Sequence, residues 1–373
     1  MSWGIAETWT ASVSVLGALV WVILVSLAGG QRAPLGMIEL LFLFAPLVIV
    51  PLGLELARTI APAAIPQLDT GVRMLQPFAS VAAAVSFWLP PGRGAGALAL
   101  PWVLLCGLVA LTGLAAFIRD RSQSLLSLVA NIARIDLAIG GSWLLVSRAG
   151  LRPIGLQEPI ILLTAVHFHY TGFATALIGA ATLRVAERHD GAPRMLRWTV
   201  MLIVLLPFVV AAGFVFSQWL RATAAVALSL TVVVFSALLF REAAMLESRT
   251  ARTYLRIACL PVLFGMGLAA TYAVGNYLGK DSLWIPRMAS THGVMNGLGF
   301  VLPALLGWLI ELHVPVQREV TNEGGDYRRN RIRGASLGAG TGRTRPRSRI
   351  DCPGNGSTRP ECPEFAAREF YET

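Results

Sequence analysis

RWTVMLIVLLPFVVAAGFVFSQWLRATAAVALSLTVVVFSALLF (197–240) holds two apolar runs, 197–217 and 219–240, parted only by Gln218 and a short polar step around Trp219 and Arg221. Each run is long enough to cross a bilayer core of about 30 Å as a helix rising about 1.5 Å per residue. Working outward, comparable runs recur near 12–29, 37–57, 72–90, 97–118, 125–147, 159–183, 254–274 and 289–311. The count is ten, or nine if 197–240 is one helix.

The arginines decide between the two counts. Segments after even-numbered spans hold Arg58, Arg73, Arg119, Arg121, Arg184, Arg188, Arg194, Arg197, Arg241, Arg249, Arg252 and Arg256. Segments after odd-numbered spans hold Arg32, Arg93, Arg148, Arg152, Arg221, Lys280 and Arg287. Twelve against seven is the asymmetry that orients membrane proteins, with the richer side inside. Nine spans would break this alternation after residue 218. Ten spans place both termini in the cytoplasm.

Composition agrees. Apolar residues make up 55% of the chain and charged residues 14%, against about 25% charged in soluble domains. Most of the surface must therefore meet lipid. The net charge of +10 is spread through the connecting loops and the tail, which argues against a nucleic-acid partner. The opening segment reads as a retained first helix, since it has neither a basic start nor a small-residue cleavage site. Residues 318–373 are basic and rich in Gly, Pro and Arg, with no apolar period, and are expected to form a disordered cytoplasmic tail. The expected fold is an all-α polytopic transmembrane helix bundle, residues 1–317, followed by that tail.

Ionisable groups inside spans are costly and mark function by default. The candidates are Glu39 in the second span, Asp136 in the fifth, His167, His169 and Tyr170 in the sixth, and His292 and Asn296 in the tenth. By depth, His167, His169, His292, Asp136 and Glu39 could line one outer-to-middle cavity. Histidine suits proton coupling because it titrates near neutrality. Imidazole also suits metals, which makes His167, His169 and His292 the candidate ligands. His167 and His169 are two apart, however, and project to nearly opposite faces of a regular helix. One metal could hold both only if the helix were broken near Thr171 and Gly172. Arg134 and Asp136, also two apart, cannot pair with each other and are expected to find ion-pair partners on other helices. Glu55 is expected to snorkel toward Arg58. Trp88, Trp102, Trp143, Trp198, Trp219 and Trp284 read as interfacial anchors.

AVHFHYTGF (165–173) and RMASTHGVMNGLGF (287–300) resemble the paired motifs of the YndJ-like family of bacterial multi-pass membrane proteins. The matching positions are His167, His169, Tyr170, Gly172 and Phe173, then Thr291, His292, Gly293, Asn296, Gly299 and Phe300. The resemblance covers the membrane part and none of 318–373. It implies a putative-transporter family with no established substrate, whose members can be longer than this chain.

Three functional readings follow. The first is a transporter for a small solute or a proton, working through the histidines. The second is a membrane metal- or haem-binding protein using the same side chains. The third is a structural or sensory scaffold. HExxH and GxxxxGK[ST] motifs are absent, so nothing marks a zincin protease or a P-loop ATPase, and a GxSxG pattern in the tail (334–338) lacks the strand and helix that make a nucleophile elbow. The residues identify no cofactor and no oligomeric state. The lipid bilayer is the one partner they name directly.

Overall fold

A computed structural model describes residues 5–189, 191–280 and 284–313, with side chains from Trp9 onward. The tail beyond residue 313 lies outside the described residues. The described chain is helical throughout its regular structure. In order the helices are α1 (Ile5–Gly29), α2 (Met37–Ile60), α3 (Pro66–Ser86), α4 (Arg93–Arg119), α5 (Leu125–Arg148), α6 (Ile160–His189), α7 (Arg194–Phe216), α8 (Gln218–Glu242), α9 (Arg249–Tyr277) and α10 (Ile285–Leu312). All but α3 are long and apolar enough to cross a membrane. The 21-residue α3 has the length but is diluted by Gln67, Asp69, Arg73 and Gln76. It begins six residues before the expected run at 72.

The break between α7 and α8 is a single extended residue, Ser217, at φ −163° and ψ 132°. Its hydroxyl accepts the Leu220 N–H and caps α8. Gly213 makes the tight return possible. A Cβ there would stand 2.4 Å from the Arg221 Cα. The segment 197–240 is thus two helices packed side by side.

The central helices are α2 and α6, with 89% and 72% of their most apolar stretches buried. A helix apolar on all sides belongs inside a bundle. By contrast α1 is only 17% buried in the same sense, and it presents Leu16, Leu19 and Ile23 outward. Such faces suit lipid, which costs them nothing.

Arginines close the helix ends. At one end, Arg119 donates to the Ala64 carbonyl, Arg184 to Thr59, and Arg134 to Ala57 and Ala61. The Glu311 carboxylate accepts the Glu247 and Ser248 amides at 2.9 and 3.0 Å. At the other end, Arg148 donates to the Ser86 and Leu89 carbonyls and lies 4.6 Å over the Phe87 ring. There too Arg221 donates to Asn276 Oδ1 at 2.6 Å. Carbonyls at or just past a helix end run short of backbone donors, although Ala57 also accepts the Ala61 N–H at 2.9 Å.

Three expectations are corrected here. Arg134 takes backbone carbonyls and the Asn131 side chain instead of an acid. Among the described residues, neither it nor Asp136 joins an ion pair. Glu55 does pair with Arg58, but at 3% exposure it is a buried hub, also reached by Arg73, His313 and the Thr10 hydroxyl. Trp102 is no anchor, because it is fully buried, while Trp88, Trp198, Trp219 and Trp284 are exposed near helix ends.

Candidate functional site

Three helices leave the regular α register. α2 widens to a π-helix at Ala45–Ile49, α6 at Phe168–Thr175, and α10 at Ala289–Gly293 and Met295–Val301. In α2 the cause is two prolines five residues apart, the spacing of a π-helical bond. The Leu41 carbonyl has no donor five residues on, since that residue is Pro46. The Ala45 N–H, four residues on, bonds to Phe42 instead. The Pro46 carbonyl is stranded in the same way by Pro51, while the Val50 N–H bonds to Ala45. Buried carbonyls do not go unpaired cheaply. Other helices supply the donors. The Tyr170 hydroxyl donates to Leu41 at 2.8 Å, and Gln76 and Ser80 donate to Pro46 at 2.6 and 2.9 Å.

Tyr170 is the meeting point of the three interruptions. Its hydroxyl is on α2, it belongs to the π segment of α6, and its ring lies against Gly297 of α10. A Cβ at Gly297 would come within 3.0 Å of that ring, so only glycine admits it.

His169 turns away from this junction, toward α4 and α5. It is fully buried. Its Nδ1 contacts the Ala165 carbonyl at 2.7 Å, and its Nε2 contacts Trp102 Nε1 at 3.1 Å. A carbonyl only accepts and an indole N–H only donates, so the ring is the neutral Nδ1–H tautomer with both nitrogens spent. Trp102 stacks on it and Phe42 meets it edge-on. Gly140 of α5 makes room, since a Cβ there would sit 2.6 Å from Nδ1.

His292 is similarly committed. Its Nδ1 contacts the Gly265 carbonyl at 2.8 Å, and Asn296 Nδ2 lies 3.1 Å from Nδ1 and 3.3 Å from Nε2. Asn296 Oδ1 is buried without a hydrogen-bond partner. His167 differs from both. Its Nδ1 contacts the Leu163 carbonyl at 2.7 Å, the residue is exposed, and it lies within electrostatic range of His292. Glu39 is a helix cap, its Oε2 accepting the Gly36 amide at 3.0 Å.

The candidates therefore separate into groups. His169 and Asp136 face the α5–α6 contact. Tyr170, His292 and Asn296 lie among α2, α6, α9 and α10. Glu39 stands at the entrance of α2. The opposite-face geometry of His167 and His169 holds even though α6 is widened between Phe168 and Thr175. Among the described residues, no three His, Cys, Asp or Glu side chains are grouped to hold a metal ion. Sequence reasoning missed Trp102, Gln76, Ser80 and Gly140. The five-residue spacing of Pro46 and Pro51 was a usable signal for the first interruption. Nothing local marks Trp102.

The sequence profile of the family described as YndJ-like protein matches residues 40–300. A curated relative, the uncharacterized membrane protein YndJ of Bacillus subtilis (strain 168), is 33% identical over 178 residues, covering 48% of this chain and 32% of the relative. The matched segment thus spans about a third of that relative's length. No solved structure matches.

Proposed function

This chain belongs to the YndJ-like family of membrane proteins, and on that premise we propose that it is a transport protein whose working part is the junction of α2, α6 and α10. The observation that carries this reading is the convergence of three π-widened helices on Tyr170. Widened turns recur at functional sites. Interrupted backbone within a membrane is tolerated where it is buried in protein or lines a cavity. Transporters place their substrate and ion sites at such interruptions. The cargo is a small solute or a proton, with His167, Tyr170, His292 and Asn296 nearest the junction. The arginine-rich end lies in the cytoplasm and the bilayer is the bacterial plasma membrane, following the positive-inside rule.

The test is comparative solute profiling, inside and outside the cell. Cells expressing the protein, the His167→Ala, His292→Ala double variant, or neither would be compared at matched protein levels. Expression is expected to redistribute at least one solute, and the double variant to abolish that change. Identical profiles with and without the wild-type protein would refute transport and leave the scaffold reading.

A further inference from the structure

Among the described residues, Asp136 is the one buried side chain whose two oxygens are both unanswered. It lies eleven residues into α5, about 16 Å along the helix at about 1.5 Å per residue, and it is 1% exposed. Neither Oδ1 nor Oδ2 has a hydrogen-bond partner. The widened part of α6 covers it. A Cβ at Gly172 would stand 3.0 Å from both Cβ and Oδ2 of Asp136, and 3.2 Å from the Phe168 ring.

None of the titratable groups on the elements packed around α5 bonds to Asp136; Glu39 of α2 accepts the Gly36 amide. From α6, His169 is spent on Ala165 and Trp102, Tyr170 is turned to Leu41, and Arg184 holds the Thr59 carbonyl. His167 holds the Leu163 carbonyl, one turn back on its own helix. From α4 comes Cys106, against Gly141. From α2 come Glu55 and Arg58, which pair with each other. From α7 come Arg194 and Arg197 at its first turn, the latter paired with Glu187 of α6. On α5 itself, Arg134 and Arg148 hold backbone carbonyls. None donates to Asp136.

A carboxylate stripped of water and denied every donor is costly to keep charged, whereas burying the protonated acid costs far less. We propose that Asp136 is a proton-binding site, holding one proton in this conformation and exchanging it when the π segment of α6 moves off it. The step is a proton transfer alone. The carboxyl O–H bond breaks, the proton passes to water, and the carboxylate stays behind. Together with the transport reading, on which this part rests, it makes the proton the coupled species. His169 cannot take that role without giving up the Trp102 bond, so the load falls on the carboxyl.

The experiment is infrared spectroscopy of the full chain in liposomes at neutral pH, with carboxyl-carbon-labelled aspartate. An isotope-sensitive carbonyl stretch of a protonated acid is expected, absent from Asp136→Asn. Aspartate bands of ionised carboxylate alone would overturn the proposal. If Asp136→Asn does not fold, Asp136→Glu decides, since the protonated-acid band should then lose its aspartate label. Solute flux that depends on a pH gradient in the wild type and loses that dependence in Asp136→Asn supports the coupling. Unchanged dependence in Asp136→Asn overturns it. A protonated-acid band in a protein that moves no solute supports the proton site while sinking the transport reading.

Discussion

Replacing Gly140 with alanine tests whether His169 is locked as described. The new methyl would stand 2.6 Å from Nδ1 and 2.9 Å from Cε1 of the imidazole. The ring has nowhere to retreat, because Trp102 stacks on it, Phe42 abuts it and both nitrogens are tied. Moving it forfeits two hydrogen bonds, each contributing about 0.5–1.5 kcal/mol. Overpacking costs about 1–3 kcal/mol more. Against this, Gly→Ala inside a helix contributes about 1 kcal/mol of propensity. The balance is a destabilisation of about 1–5 kcal/mol. The assay is the fraction of detergent-solubilised protein that stays monodisperse after heating at one fixed rate, since such unfolding is irreversible. The control is Gly107→Ala on α4, where a Cβ would meet nothing within 4 Å, so its midpoint should hold or rise. In a His169→Ala background, Gly140→Ala should cost far less, because the two changes share one contact. A Gly140→Ala midpoint equal to or above wild type would refute the packing argument.

Further outcomes follow from single contacts. Trp102→Phe keeps the stack but leaves His169 Nε2 without its donor, and should cost about 1–3 kcal/mol in the same heating assay. Glu55→Leu takes the Glu55 carboxylate from Arg58 and from Arg73, which keeps Asp69, and their side chains are 34% and 16% exposed. It should cost near the lower end of the about 3–5 kcal/mol seen when a buried pair loses one partner, and an unchanged midpoint would show the hub to be energetically idle. Elemental analysis and visible absorbance of purified protein should find no stoichiometric metal or haem that depends on His169. A metal lost in His169→Ala would mean that the imidazole surrenders both of its present bonds.

Much of this molecule was legible without coordinates. Helix number followed from local sums, although α3 is less apolar than a spanning helix needs, and Ser217 falls where the polar step at Gln218 suggested. Alternation of the arginines predicted which loops share an end, and Arg119 and Arg184 indeed reach the same end of α2. The divergence of His167 and His169 followed from helical geometry, since two residues turn a helix by about 200°. Partner choice was not legible. Which acid, base or carbonyl a buried group meets depends on the rotation and depth of each helix against its neighbours, and these are set by packing across the whole bundle. Hence Arg134 takes carbonyls where an acid was expected, Trp102 holds a histidine where an interface was expected, and Asp136 meets nothing. A lipid-soluble helix is a property of its own residues, but a hydrogen bond between helices belongs to the pair, and only tertiary structure brings the pair together.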